Sequence, residues 1–418
     1  MKRAILTSII ATMAFPLFAQ QYSGPGFYRL KNRGEAGRYI SIENDKVSEE
    51  SKKVSFSGGK SVFAAMESLK TVKNKDYVPG TIMFVTGQAS DLTLEAQGEN
   101  TADLLDKLDK SGYKLKANSQ GELNTTYSGY QIDLIDFGYD YPVKKDGFCA
   151  VATLNFIRTN DIKSYALWDF IKIDNENEYF GIYPNENIKV GDKYYTTIFT
   201  TFAFKLREGM KAYYINQHIY DTNHVQEPIA ELKEISDGII PAATPVIIEC
   251  SSSFVSDNKV TLLIEDHSPI TGNELKGRVF CFVPEPTWDQ DLKNALTFNE
   301  KTMRVLGVKD GKLAMVADNN NALKIITNSN GVKEKYMPAN KAYLPISSSD
   351  AAATANGIKL LLPNEYAIAT SISKVVSEGM PAKEGIYTLT GVKVKDGNDT
   401  KGLPIGIYIV NGKKLIIR

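Results

Sequence analysis

Apolar and polar residues alternate over many short segments of this chain, which is the period of β-strands. Residues 37–42 alternate in this way and follow a strand-like segment at 26–32 across a turn that contains glycine. The two segments therefore predict a β-hairpin. A second hairpin of the same kind is predicted from 168–173 and 179–183, which flank a polar turn.

Further strands are predicted wherever a short apolar run is bounded by Gly, Pro or Asn. These segments are 81–85, 91–96, 212–215, 232–235, 246–248, 261–264, 278–283, 312–316 and 342–344. The later ones favour a β-sandwich over residues 207–347. Asp310 and Gly311 separate two of the strands, and this pair is typical of a two-residue hairpin turn.

Three segments have the spacing of helices that face a core, namely 60–74, 101–110 and 286–298. The third contains Trp288, which we interpret as a packing residue. Residues 347–356 are rich in Ser, Asp and Ala and lack an apolar period, so they indicate a linker or a short exposed helix. We expect the linker between domains to span 348–365.

The C-terminal segment contains the strongest pattern in the chain. Strand-like pieces at 385–389, 392–394, 403–410 and 413–418 are separated by glycine turns and a polar loop. Asn411-Gly412 lies between the last two pieces, and both residues of a type I′ turn need positive φ, which Asn and Gly tolerate. The pattern predicts a small sheet of about four strands at the C-terminus.

This segment resembles the C-terminal sorting domain of cargo of the type IX secretion system. The resemblance covers about residues 366–418 and includes the following positions: Tyr387, Gly391, Leu403, Pro404, Gly406, Tyr408, Asn411 and Gly412. It implies that the secretion machinery is a partner and that the protein passes through the periplasm. The protein would then be secreted or held at the cell surface, in association with the outer membrane. An ordinary small β-sandwich appendage is the alternative.

The first predicted hairpin, at 28–40, resembles the opening repeat of ricin-type β-trefoil lectins, and 168–182 resembles a later repeat. The resemblance implies a trefoil-like β domain with helical insertions over residues 22–206. The Gln-x-Trp signature of the family is absent, because Ala166 stands two residues before Trp168. No sugar-binding residue is therefore carried over from the family.

A cleavable secretory leader is predicted for residues 1–19. Lys2 and Arg3 precede an apolar stretch at 4–18, and Ala19 is a suitable small residue at the cleavage point. An uncleaved membrane anchor is the alternative, but the stretch is shorter than the ~20 apolar residues that a membrane span needs. No other segment is predicted to span a membrane as a helix, so we expect no transmembrane helix after cleavage.

Composition supports a folded, multidomain protein. The chain has 418 residues, of which 43% are hydrophobic, and this length predicts more than one domain. We therefore predict a mainly β, multidomain fold: a trefoil-like domain at 22–206, a β-sandwich at 207–347, a linker at 348–365 and a small C-terminal β-sandwich at 366–418. Basic and acidic residues number 49 each, which argues against nucleic-acid binding.

No recognisable catalytic motif is present. His218, Asp221 and His224 could supply metal ligands if a hairpin joined them, but their spacing matches no zinc motif, and we interpret them as exposed loop residues. The pairs Tyr194-Tyr195 and Tyr213-Tyr214 could stack on sugars if exposed, although one core and one surface residue in each pair is expected. We predict no catalytic residue, no cofactor and no metal.

The three cysteines are Cys149, Cys250 and Cys281, an odd number that excludes a complete disulfide framework. A Cys250–Cys281 disulfide is one interpretation, and three buried thiols are the other.

The function hypothesis is a non-catalytic surface or secreted protein that binds glycan or another extracellular partner. The alternatives are a structural or adhesion component of the cell envelope with a protein partner, and a glycan-active hydrolase whose carboxylate pair the sequence does not reveal.

Overall fold

The structure is a computed structural model that describes residues 22–33, 37–42, 69–88, 91–95, 114–117, 123–125, 131–136, 148–153, 167–221, 225, 227–265, 267–279, 296–327, 331–377, 385–389, 391–410 and 413–417. Over these residues the chain is mainly β, with thirty strands in several sheets and one α-helix. The predicted fold class is confirmed to that extent. The leader, the predicted helix at 101–110 and Trp288 lie outside the described residues.

The first sheet has ten strands, and β1 lies at its centre. Strands β2 and β4 pair with one edge of β1, and β10 pairs with the other edge over five residue pairs. The remaining strands continue outward from β4 in chain order, and β3 pairs with β2. The bounds are β1 Gly26–Asn32, β2 Tyr39–Ile42, β3 Leu69–Val72, β4 Met83–Gln88, β5 Asp91–Glu95, β6 Lys114–Ala117, β7 Leu123–Thr125, β8 Gln131–Asp136, β9 Phe148–Thr153 and β10 Trp168–Lys172.

The first predicted hairpin is confirmed by the pairing of β1 with β2. The second is wrong in its pairing, because β10 joins β1 and the following strand joins a different sheet. The predicted helix at 60–74 is wrong at 69–72, where β3 pairs with β2. In both segments, pairing with a distant strand determines the structure, and the local spacing of apolar residues does not. The trefoil arrangement of residues 22–206 stays a prediction.

A small sheet and a large sheet follow. The small sheet has the order β11-β19-β14-β17, and the large sheet has the order β12-β13-β18-β15-β16-β26-β22-β21-β25-β20. The bounds in the small sheet are β11 Phe180–Gly181, β14 Ala203–Leu206, β17 Ile239–Ile240 and β19 Lys259–Leu263. In the large sheet they are β12 Asn185–Val190, β13 Lys193–Ile198, β15 Lys211–Ile219, β16 Ile229–Glu234, β18 Val246–Cys250, β20 Lys276–Arg278, β21 Met303–Lys309, β22 Lys312–Val316, β25 Lys341–Pro345 and β26 Ile358–Leu361.

Short elements complete this region. Strands β23 Lys324–Thr327 and β24 Lys333–Tyr336 form a separate pair. Single 3-10 turns are present at Pro79–Thr81, Val255–Asp257 and Ser348–Asp350. Residue 297, at the end of the helix predicted for 286–298, forms an isolated β-bridge with Tyr336, so a helix there is wrong at its described end.

The central strands of the large sheet are buried on both faces. Ala212 and Ile248 pack into one core together with the small sheet, whereas Tyr213 and Ile247 pack into a second core with the other half of the large sheet. The predicted pattern for Tyr213-Tyr214 is therefore wrong, since both side chains are buried. Because a strand covered on both faces has no face in contact with solvent, the second tyrosine of the pair is buried as well.

Two of the predicted domain boundaries fall within sheets whose strands come from both sides of the boundary. Strands β13 and β14, before residue 207, pair with β18 and β19, after it. Within the segment predicted to be a linker, β26 lies between β16 and β22 in the large sheet. Its pairing with β16 is parallel, and it places apolar Ile358 and Leu360 in the second core.

Segment 347–356 is largely exposed and begins with the 3-10 turn at Ser348–Asp350, in agreement with the predicted short exposed helix, and a buried arginine anchors it. Arg304 on β21 is almost wholly buried, and its guanidinium donates hydrogen bonds to the carbonyls of Ala351 (2.9 Å) and Thr354 (3.1 Å). It also donates to the Thr354 hydroxyl at 2.6 Å, and that hydroxyl donates to the Asp350 carbonyl at 2.7 Å. Two backbone carbonyls and one hydroxyl of the segment therefore accept the hydrogen bonds of a buried cation.

The C-terminal sheet has the predicted four strands in the order β28-β27-β29-β30. The bounds are β27 Ile386–Thr388, β28 Lys393–Lys395, β29 Gly406–Val410 and β30 Lys413–Ile417. Both predicted hairpins are confirmed: β29 pairs with β30 up to Val410 and Lys413, and β21 pairs with β22 up to Lys309 and Lys312. Asp310 and Gly311 have φ of 51° and 71°, as a type I′ turn requires.

Helix α1 Pro363–Ser377 precedes the C-terminal sheet and was not predicted. Pro363 occupies the first position, and the Glu365 carboxylate accepts a hydrogen bond from the Leu362 amide at 3.3 Å. Proline at the first position and an acidic first turn are the signals that could have revealed it.

Replacing Thr354 by Val should lower the free energy of unfolding by about 1–3 kcal/mol, because the isosteric side chain leaves one Arg304 donor and the Asp350 carbonyl without this partner. Thr327→Val on exposed β23 is the matched control and should change it by less than about 0.5 kcal/mol. Equal stability of the two variants in urea unfolding would show that segment 347–356 is not anchored by Arg304.

Candidate functional site

Arg29 on β1 is fully buried and joins two loops that are far apart in the sequence. One guanidinium nitrogen, Nη2, donates to the carbonyls of Lys75 (3.1 Å) and Tyr179 (2.8 Å). Nε donates to the Thr81 hydroxyl at 3.0 Å. The planar fork of donors holds these partners in one geometry, so the loops that contain Lys75 and Tyr179 are fixed against each other.

Acidic side chains compensate the buried charge. The Glu178 carboxylate lies 3.6 Å from Nη1 of Arg29 and also forms an ion pair with Lys75, which in turn contacts Asp76 at 3.0 Å. Burial lowers the pKa of Arg29, and the nearby charges of Glu178 and Asp76 oppose that shift. The cluster therefore retains a paired guanidinium inside the protein.

Backbone hydrogen bonds place a third loop beside these two. The Gly181 amide donates to the Asp76 carbonyl (2.8 Å), and the Ile182 amide donates to the Asn258 carbonyl (2.9 Å). Position 181 must be glycine, because a Cβ there would lie 2.6 Å from both a side-chain carbon and the carbonyl oxygen of Val255. Three segments, at 75–78, 179–183 and 252–258, are therefore adjacent.

Asn258 fixes the third loop from within and is fully buried. Its Oδ1 accepts from the amides of Ser251 (2.9 Å) and Ser252 (3.3 Å). Its Nδ2 donates to the carbonyls of Ser252 and Phe254, both at 3.0 Å. One side chain thus satisfies four backbone groups of the loop that presents Phe254.

Two of the three segments expose an aromatic ring, and we name Tyr183 and Phe254, together with the half-buried Tyr77, the aromatic surface. Tyr183 is 48% exposed and Phe254 is 69% exposed. The rings of Tyr77 and Tyr183 lie with centroids 4.9 Å apart. Large apolar groups held in water on rigid loops indicate a binding surface more than a packing defect.

Polar groups surround these rings. Tyr179 lies next to the surface in sequence and in space, with the Lys259 ammonium 4.4 Å from its ring centroid. Burial and a hydrogen bond with Asp76 raise the pKa of Tyr179, so its hydroxyl stays protonated. Aromatic faces can stack on the C–H faces of sugar rings, and carboxylates and amides can bond to sugar hydroxyls. The surface can therefore bind a polyhydroxylated ligand without covalent chemistry.

The tyrosines singled out from the sequence do not belong to this surface. Tyr195 and Tyr213 both donate to the Glu249 carboxylate, at 3.0 and 3.2 Å, and Tyr214 is buried. Tyr77, Tyr183 and Phe254 come from three separate segments, and no local pattern joins them. A tyrosine directly after a short strand, as at Tyr183, was the only available signal.

The predicted sorting residues lie in the C-terminal sheet. The Tyr408 hydroxyl donates to the Pro404 carbonyl at 3.0 Å, and a Cβ at Gly406 would lie 3.3 Å from the Tyr408 ring. The spacing Pro-x-Gly-x-Tyr therefore folds the ring back over its own strand. Tyr387 is on β27, Gly391 has a φ of 81° in the following turn, and Leu403 is partly buried before β29. Asn411 and Gly412 lie outside the described residues.

The predicted histidine cluster is only partly described, because His224 lies outside the described residues. His218 is on β15 rather than in a loop, and its Nδ1 lies 2.6 Å from the Glu274 carboxylate. Its ring stacks on Tyr220 at 4.0 Å between centroids. Over the described part of the chain, no three His, Cys, Asp or Glu side chains are grouped to hold a metal ion.

Cys250 is a buried free thiol in the first core, and burial raises its pKa to about 12. It behaves as a small apolar group there. Cys281 and the side chain of Cys149 lie outside the description.

Two comparisons with known proteins found no match. No protein-family model matches the chain, and no curated protein matches it. Among the described helices, none has the length and apolar character needed to cross a membrane.

Replacing Asn258 by Asp should lower the free energy of unfolding by about 2–4 kcal/mol, because a carboxylate would face the carbonyls of Ser252 and Phe254 without a donor. Asn187→Asp on exposed residue 187 of β12 is the control, with an expected change below about 0.5 kcal/mol. Urea unfolding measures both. If the two variants unfold alike, the side chain of Asn258 does not hold the loop.

Proposed function

We propose that this protein is an exported, non-catalytic binding protein that recognises glycan at the aromatic surface. The observation that carries the proposal is the pair of exposed rings, Phe254 and Tyr183, on loops fixed by Asn258 and Arg29. Exposed rings on rigid loops lose little conformational entropy when a ligand covers them. Nearby Asp76, Asp257 and Glu178 supply acceptors for hydroxyl groups.

A structural or adhesion role with a protein partner is the alternative at the same surface. Aromatic residues are also enriched in protein interfaces, so the rings alone favour neither ligand. The carboxylates beside the rings can accept hydrogen bonds from sugar hydroxyls, whereas an apolar patch of a protein partner would leave them without donors. The two functions differ in the ligand that competes for the surface.

The glycan proposal predicts that the mature chain binds at least one oligosaccharide on a glycan array. Phe254→Ala and Tyr183→Ala should each weaken that binding about 5- to 10-fold, because each removes a half-exposed aromatic group from the contact. Ile325→Ala on β23 is the control, since it removes an exposed apolar group outside the aromatic surface, and it should leave the affinity unchanged.

Calorimetry on the best array ligand gives the affinities. Two outcomes would remove the glycan proposal: no oligosaccharide bound by the wild type, or binding that neither aromatic substitution weakens. Capture of an envelope protein that Phe254→Ala abolishes, without any glycan binding, would establish the alternative.

We also propose that residues 366–418 direct export through the type IX machinery to the cell surface or medium. The four-stranded C-terminal sheet and the Pro404–Tyr408 hydrogen bond support this proposal. Each is compatible with an ordinary appendage, so the test must measure transport.

In a Gram-negative host with this secretion system, the full chain should reach the surface or the medium. A chain that ends at residue 384 should accumulate in the periplasm. Val392→Ala, at an exposed position of the C-terminal region outside the predicted sorting residues, serves as a folded comparison and should be exported. Export of the shortened chain at the full rate would show that the C-terminal sheet has no sorting role.

A further inference from the structure

A cleft of about 440 Å³ lies between helix α1, the paired strands β16 and β26, and the terminal strand β30. Its volume falls in the range of small-molecule sites, which is about 300–1,000 Å³. The cleft is lined by the following residues: Val225, Glu227, Ile229, Lys312, Lys359, Leu361, Glu365, Ile368, Ala369, Lys414 and Ile416. It involves none of the residues of the aromatic surface.

The floor of the cleft is apolar and rigid. Val225, Ile229 and Leu361 are buried and belong to one packed cluster with Tyr366 of α1. Two apolar side chains of the walls are open to water, and the rest of the walls include charged residues. Ile368 on α1 is 38% exposed and Ile416 on β30 is 55% exposed. An apolar chain placed between these two side chains would remove both from water, which favours binding in proportion to the area covered.

The rim of the cleft contains more lysines than acidic side chains. Lys359 forms a hydrogen-bonded ion pair with Glu227 at 2.6 Å, and Lys309 approaches the same carboxylate at 3.8 Å. These lysines lower the pKa of Glu227, so this carboxylate is already satisfied. Lys312 lies 4.0 Å from Glu365.

Lys414 on β30 is exposed and has no acidic partner within 4.0 Å among the described residues. It stands two residues before Ile416, so both side chains lie on the same face of β30. An unneutralised ammonium therefore lies beside the apolar walls, while the other lining lysines are already paired.

We propose that this cleft binds a single-chain amphiphile with a carboxylate head group, its apolar chain between Ile368 and Ile416 and its carboxylate at Lys414. The cation excludes a positively charged head group by repulsion and favours an anionic one over a neutral one. Because Glu227 and Glu365 already pair with the other lining lysines, Lys414 is the lysine left for the anionic group of the ligand. The inference is independent of the proposed glycan binding.

Isothermal titration of the full mature chain with dodecanoate, below its micelle concentration, tests the proposal. We expect saturable binding of one dodecanoate per chain, at least about 3-fold tighter than dodecanol and weaker at high salt. Dodecyltrimethylammonium, with the same chain and the opposite charge, should bind more weakly than either.

Two substitutions separate the head-group and chain contributions. Lys414→Gln should weaken dodecanoate binding about 3- to 10-fold and leave dodecanol unchanged. Ile368→Asp should abolish binding of both ligands, because it places a carboxylate against the apolar chain. Lys324→Gln and Ile325→Asp on exposed β23 are the matched controls, and neither should alter any affinity.

The proposal fails if dodecanoate does not bind saturably, if dodecanol and dodecyltrimethylammonium bind as tightly as dodecanoate, or if Ile368→Asp binds like the wild type. Lysophospholipid with a phosphate head group is a further arm. Tighter binding of that ligand than of dodecanoate would overturn the assignment of a carboxylate.

Discussion

A guanidinium without access to water needs partners for its charge and for its donors, and Arg29 takes them from two distant parts of the chain, at 75–81 and 178–179. Among the described residues its Nη1 has no hydrogen-bond partner, and the Glu178 carboxylate 3.6 Å away balances its charge. The Lys75 and Tyr179 carbonyls take two of its bonds, and the Glu178 carboxylate lies beside it. Removing any of these partners would leave a buried donor unsatisfied, at a cost of about 1–3 kcal/mol. The positions of the loops on either side of the aromatic surface therefore depend on Arg29.

The same principle operates twice more in the described residues. Arg304 holds segment 347–356 through carbonyl oxygens, and Asn258 holds the loop of Phe254 through both amides and carbonyls. In each case a buried polar side chain forms hydrogen bonds with backbone groups that have no partner in a neighbouring strand. Irregular segments gain a single conformation in this way, which is what a binding surface built on loops needs.

The two proposed sites would bind their ligands through different interactions. The aromatic surface displays rings and acceptors on rigid loops, which suits a broad, hydroxylated ligand. The cleft at α1 is open to water and combines apolar side chains with one lysine that has no acidic partner among the described residues, which suits an amphiphile. Both use apolar side chains that the fold leaves exposed to water. Because no residue is shared, a substitution at one site should leave the other intact.

Many of the strands, the Asp310-Gly311 turn and the four-stranded C-terminal sheet follow from the sequence, because alternation and turn chemistry act between neighbouring residues. Pairing across long distances does not follow from it. Strand β10 returns to β1 over more than a hundred residues, and β26 enters the large sheet from a segment that looked like a linker. The candidate site could not be predicted from the sequence either, because Tyr77, Tyr183 and Phe254 come together only when Arg29 and Asn258 hold their loops in place. Local periodicity determines which face of a strand is apolar, whereas the partner that covers that face is decided by tertiary packing.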